Sequence, residues 1–173
     1  MNVTGTLSIP YSIKKKLVDD RESIQNEGMF VPLPRVVTVF DIIEQFKAGT
    51  TETKAQMFGM TKQQMAESAE GIKEVFDATL GRVLLYKPER IQYAKILESR
   101  HGAARMPSNI FGAEHLARLI VKLPQFLADT PEITDTSVIN NTLATATALL
   151  HFIDENRLWA TQYVQEMKED DTS

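Results

Sequence analysis

The chain has 173 residues, 43% of them hydrophobic and 24% charged, with 8 Gly and 7 Pro and apolar residues along its whole length, which excludes collagen-like, linker-like and wholly disordered chains and suits one domain. It holds no Cys, so disulfides, thiolate nucleophiles, zinc fingers and iron–sulfur ligation are ruled out, and only His, Asp and Glu are left to hold a metal. Its 19 basic and 23 acidic residues give a formal net charge of −4, the wrong sign for a domain whose main task is to cling to phosphates.

The charge is unevenly spread: residues 1–122 carry 17 bases and 14 acids, a surplus of three, and residues 123–173 carry 2 and 9, a deficit of seven. No apolar run approaches the roughly 18 residues of a membrane span, and residues 1–8 lack the basic and apolar regions of a signal peptide, so a soluble intracellular protein is expected.

Pro10 opens a helix in which Ile13, Leu17 and Ile24 share a face, ending near Gly28. Pro32 and Pro34 make the next stretch an extended connector. Thr38 and Asp41 form a capping-box pattern for a short helix over Val39, Ile42, Ile43 and Phe46. Apolar density then falls, and the segment from Lys47 to Met60 reads as a mobile loop. Thr61 with Gln64 caps a helix whose face runs Met65, Ala69, Ile72, Phe76 and Leu80, with Gly81 as its stop. After the apolar Leu84-Leu85-Tyr86, Pro88 starts a helix predicted to bury Ile91, Ala94 and Leu97. His101 to Asn109 reads as a loop. The helix from Gly112 carries Leu116, Leu119, Ile120, Leu123 and Leu127 on one face, with Pro124 predicted to kink or interrupt it. Asp135 or Thr136 caps a last long helix through Ile139, Leu143, Ala146, Leu150 and Ile153, and Trp159 and Tyr163 continue a weaker pattern. All eight glycines lie between Gly5 and Gly112, so later turns must use Pro, Asp and Thr. The expected fold is mainly α, a compact multi-helix orthogonal bundle with room for a short β-hairpin near the N-terminus. It forms a single domain over residues 1–167, with an acidic, disordered tail over 168–173.

Chemistry is sparse. Nucleotide-cradling glycine motifs and the Gly-x-Ser-x-Gly elbow do not occur. His101, His115 and His151 stand apart, with no His-Glu-x-x-His spacing. Glu114 and His115 are helical neighbours that point about 100° apart, which favours a hydrogen-bonded structural His over a metal or acid/base pair. Asp19-Asp20 reads as surface acids bonding a nearby loop or base, Lys14-Lys15-Lys16 as a solvated face, and Met57, Met60 and Met65 as loop packing. Neither a cofactor nor a metal is expected, and no catalytic residue is assigned.

Two valines are out of place. At 100° per residue Val121 stands about 145° from the centre of its helix's apolar face, and Val18 about 120° from the Ile13, Leu17, Ile24 side. Brought together with Tyr86, they would form a groove for a partner's side chains.

Over about Ser8 to Ile153 the chain resembles the MRG domain of MORF-related-gene chromatin proteins. The resemblance lies in the order and spacing of Ile9-Pro10, Leu17-Val18-Asp19-Asp20, Leu33-Pro34, Gly71-Ile72-Lys73-Glu74-Val75-Phe76 and Leu80-Gly81. It continues with Leu84-Leu85-Tyr86-Lys87, Glu89-Arg90-Ile91-Gln92-Tyr93 and Gly112-Ala113-Glu114-His115-Leu116 through Arg118-Leu119. It implies a helical, non-catalytic nuclear adaptor in histone acetyltransferase complexes of the NuA4 type and Sin-type co-repressor deacetylase complexes, gripping Phe-x-Leu-Pro-like partner segments in a hydrophobic groove. Matched residue by residue, that groove falls on Ile9, Leu17, Val18, Arg21, Tyr86, Val121 and Lys122. Both stray valines are in the set. Arg21 stands where the resemblance implies Trp, and Lys122 where Arg is frequent, which predicts an altered or weaker peptide preference, with acidic flanks as the expected shift. The stretch ahead of Ser8 is too short for an amino-terminal chromodomain, so methyl-lysine reading is not expected of these residues. The alternative reading is a nucleic-acid-binding helical module, since the family core is similar to the DNA-contacting part of tyrosine recombinases; the net acidity argues against it.

Overall fold

Side-chain caps at Thr38, Thr51, Thr61 and Asp135 start four of the helices in the computed structural model, which describes residues 7–99 and 105–165; His101 and the acidic 168–173 tail lie outside the described residues. Helix α1 (Tyr11–Gln25) follows Pro10, and Gly28 then takes a left-handed φ of 65° that turns the chain into strand β1 (Met29–Phe30). At α2 (Val39–Gly49) the capping box forms in full: Asp41 N–H donates to Thr38 Oγ1 at 3.3 Å and Thr38 N–H to Asp41 Oδ2 at 3.0 Å.

The expected loop between Lys47 and Met60 is instead largely helical. Thr51 accepts a hydrogen bond from Lys54 N–H at 3.1 Å and starts α3 (Glu52–Met57), whose Ala55 is fully buried. A single apolar contact and a good N-cap suffice for so short a helix, which periodicity over a few residues does not reveal. Helix α4 (Lys62–Thr79) has its predicted Thr61–Gln64 box, with Gln64 N–H on Thr61 Oγ1 and Thr61 N–H on Gln64 Oε1. It does not stop at Gly81, which is not left-handed; a π turn over Leu80–Leu84 prolongs it and buries both leucines.

Helix α5 (Lys87–Glu98) has its Pro in the first turn, yet its buried side chains are Glu89 and Gln92, while Ile91 is 62% exposed and Ala94 and Leu97 also reach solvent. The expected burial of Ile91, Ala94 and Leu97 is therefore corrected: α5 packs on the core through Tyr93 and Ile96, and its buried side chains, Glu89 and Gln92, are polar. Helix α6 (Ala113–Ala128) is the centre of the molecule. Every residue from Ala113 to Ile120 is buried, as expected of a helix with neighbours on all sides, and α1, α2, α7 and the π turn all contact it. Pro124 lies on its exposed side and does not interrupt it.

Helix α7 (Thr136–Glu155) begins at Asp135, whose Oδ1 accepts from Ser137 N–H at 2.9 Å. It ends in a Schellman pair, Leu158 N–H on Ile153 O and Arg157 N–H on Asp154 O, with Arg157 at φ 52° in the position where glycine is easiest. Arg157→Gly should therefore stabilise the domain by about 0.5–1 kcal/mol, a rise of about 1–4 °C in Tm. Thermal denaturation checks this; an unchanged or lower Tm would show that the arginine side chain offsets its backbone strain. Trp159 and Tyr163 lie beyond the helix, in a C-terminal strap that buries the indole.

The strap ends in strand β2 (Val164–Gln165), antiparallel to β1 with Met29 opposite Gln165 and Phe30 opposite Val164. The small antiparallel pair thus joins the segment after α1 to the segment after α7. The described residues therefore form a mainly α bundle of seven α-helices around α6, α4 and α7. None of these helices is long and apolar enough to cross a membrane.

Candidate functional site

Helix α1, the π turn with the two residues after it, and α6 converge on an open groove of about 370 Å³. Leu17, Val18 and Arg21 come from α1, Tyr86 from the start of α5, and Val121 and Lys122 from α6. Val18 is 68% exposed and Val121 half-buried, so both valines present apolar surface to the groove rather than to a third helix. Ile9, the seventh candidate, does not line it; ahead of α1, it packs half-buried against the core. Val83, Leu84, Leu85 and Arg118 complete the lining. Leu84 and Leu85 were visible as an apolar string. Arg118 left no such signal, because at 100° per residue it stands about 155° from the centre of its helix's leucine face, where a solvated charge is the ordinary expectation. Two further cavities, of about 480 and 340 Å³, flank residues 157–161 of the strap and hold none of the seven candidates.

Beneath the groove lies a buried charge cluster. Arg118 donates from Nε and Nη2 to Asp20 Oδ2 at 3.0 and 2.7 Å, from Nη2 to Glu89 Oε2 at 3.0 Å, from Nη1 to Glu89 Oε1, and from Nη1 to the Leu84 carbonyl at 3.0 Å. Its guanidinium lies 4.2 Å from the centroid of the Tyr86 ring, a cation–π contact that supports one groove wall. His115 Nε2 stands 2.8 Å from Glu89 Oε2, which places the proton on Nε2. The Tyr163 hydroxyl of the strap donates to Asp20 Oδ1 and accepts from Trp159 Nε1 at 3.3 Å. Burial works to raise the Glu89 carboxyl, but His115 and Arg118 outweigh it and hold it at about 2. Burial and the Asp20 carboxylate push the Tyr163 phenol upward, so it stays a donor. Glu89 and Asp20 likewise raise the Arg118 guanidinium against its own burial.

The cluster corrects one expectation. Asp19 is exposed, but Asp20 is only 2% exposed and pairs with Arg118 and Tyr163, so the two are not a pair of surface acids. Nor do they converge on a common point. Glu114 and His115 also diverge: His115 goes to Glu89, whereas Glu114 accepts from Arg35 Nε at 3.1 Å and from Ala160 N–H at 2.6 Å, tying connector and strap together. Among the described residues no group of three or more His, Asp and Glu side chains is placed to hold a metal ion. What the arrangement can do is bury apolar side chains over a rigid, charge-paired floor.

A sequence model of the MRG family matches residues 1–165. The chain belongs to the MRG family. The MRG domain is 41% identical over 124 residues to the chromatin modification-related protein EAF3 of Yarrowia lipolytica, a match that covers 72% of this chain and 32% of that protein. It is 41% identical over 121 residues to the NuA4 complex subunit EAF3 homolog of Dictyostelium discoideum, covering 70% and 29%, and 39% identical over 122 residues to Protein MRG1 of Arabidopsis thaliana, covering 70% and 36%. The MRG chain thus spans about a third of the length of these relatives.

Proposed function

We propose that this MRG domain is a non-catalytic, nuclear adaptor of chromatin-modifying complexes, of the NuA4 acetyltransferase type or the Sin-type deacetylase type. It holds partner segments of the Phe-x-Leu-Pro kind in the groove between α1 and α6. The observation that carries the reading is the position of Val18 and Val121: two helices each hold a valine off their core face, and both valines line one cavity beside Tyr86. The names of the relatives, chromatin modification-related protein and NuA4 complex subunit, support the setting.

The mechanism is burial. A Phe and a Leu anchor each bring about 1.5–3 kcal/mol of transfer free energy, which yields net affinity when the pocket is preformed and little side-chain freedom is lost. The Arg118 cluster supplies that rigidity by fixing Tyr86 from below. A proline in the segment lowers the entropy lost on docking.

Val18→Asp and Val121→Asp should each weaken binding of a Phe-x-Leu-Pro peptide by more than about tenfold, since a carboxylate on the groove wall must be desolvated against an apolar anchor. Fluorescence anisotropy with the purified domain measures the peptide, and a pulldown from nuclear extract compares the partners retained. Circular dichroism first establishes that both variants fold, as the exposure of Val18 leads one to expect. If both variants keep wild-type affinity and every partner, the groove is not the site.

A further inference from the structure

We infer that the groove selects segments whose apolar anchors are flanked by Asp or Glu; this rests on its reading as a partner site and adds what decides between partners. Ten residues line the groove, and the charged ones among them are Arg21, Arg118 and Lys122, all cations. All three lie within residues 1–122, which carry the basic surplus of the chain.

The three cations are not equivalent. Arg118 is spent on Asp20 and Glu89. Arg21 and Lys122 are not: Arg21 Nε donates to the neutral Gln25 Oε1 at 3.2 Å and Lys122 Nζ to the Val83 carbonyl at 3.0 Å. Among the described residues neither joins an ion pair, whereas Arg35 pairs with Glu114, Lys47 with Glu44 and Glu70, and Lys73 with Glu70. The exposed acids nearest in sequence, Asp19 and Glu22, do not line the groove, and Glu22 accepts from Asn26 Nδ2 at 2.7 Å.

One unpaired cation therefore stands on each wall, Arg21 on α1 and Lys122 on α6, beside an apolar surface of Val18, Val121 and Tyr86. A docked segment narrows the water around them, so a flanking carboxylate gains a charge-assisted hydrogen bond while displacing only a neutral partner. The same charges raise the encounter rate with acidic segments. Phosphate backbones are the poorer match, because they call for a run of cations rather than two beside an aliphatic floor.

The test uses two peptides of about 12 residues with a shared Phe-Gly-Leu-Pro core, one flanked by Asp and Glu, the other by Asn and Gln, titrated by fluorescence anisotropy at about 0.05 M and about 0.5 M salt. Wild type should bind the acidic peptide roughly 3- to 30-fold more tightly at low salt, with the advantage shrinking at high salt. An Arg21→Gln, Lys122→Gln double variant should bind both alike. Equal affinity of wild type for the two peptides, or a preference that survives in the double variant, overturns the inference; if Val18→Asp still abolishes that equal binding, the groove itself stands. Failure of wild type to bind either peptide, or indifference to Val18→Asp, removes the groove reading along with it. Displacement of the acidic peptide by duplex DNA at equal charge concentration would reassign the two cations to phosphate.

Discussion

Arg118→Met should destabilise the domain by about 3–5 kcal/mol, the range found when one partner of a buried ion pair is removed and the other is left behind. Here two carboxylates are left behind. Asp20 and Glu89 are both almost completely buried, and Arg118 supplies four of their hydrogen bonds and the only full positive charge that needs no protonation event among the cluster residues. After the change Asp20 keeps only the Tyr163 hydroxyl and Glu89 keeps His115 and the Tyr86 amide. Methionine fills much of the volume, so the loss is electrostatic rather than a cavity. Urea denaturation monitored by circular dichroism measures it. A loss below about 1 kcal/mol would mean that water or protonation relieves the carboxylates at little cost. The variant should also bind groove peptides more weakly under conditions where it is folded, because Tyr86 loses the cation beneath its ring.

Gly112→Ala should also be costly, by about 1–3 kcal/mol, as for other overpacked sites. The φ of Gly112 is −133°, so left-handed strain is not the cause. The cause is room: a Cβ there would stand 2.7 Å from the Val37 carbonyl oxygen and 3.0 Å from Arg35 Cγ. The connector cannot easily retreat. Arg35 N–H donates to Ile110 O at 2.9 Å and Val39 N–H to Phe111 O at 2.8 Å, and Arg35 pairs with the buried Glu114. Moving Val37 away therefore strains two backbone bonds and a salt bridge at the entry to α2. The midpoint of thermal unfolding checks this, and an unchanged midpoint would show that the connector shifts freely. Arg35→Gly combined with Gly112→Ala should recover little, since the shorter contact is to backbone.

Local chemistry is legible in the order of the residues. The starts of α2, α4 and α7 follow from Thr38, Thr61 and Asp135, because a cap is a bond between residues two or three apart. The apolar face of α6 follows from its leucines, and the two stray valines follow from helical geometry alone. Short or charged features are hidden. Helix α3 is too brief for periodicity, and α5 inverts the usual rule, burying Glu89 and Gln92 and leaving Ile91 outside. That inversion makes sense only once Arg118 and His115 are seen to lie under α5.

The sequence by itself determined the helical class, most of the helix starts and the off-face positions of Val18 and Val121, since each depends on residues within a few positions of one another. Only the tertiary structure decided that those valines share a cavity, that Asp20 is paired with Arg118 98 positions away, and that Tyr163 and β2 fasten the strap after α7 to α1 and β1. A buried charge is tolerable only beside its counter-charge, and where that counter-charge stands is set by how helices cross, which no local pattern records.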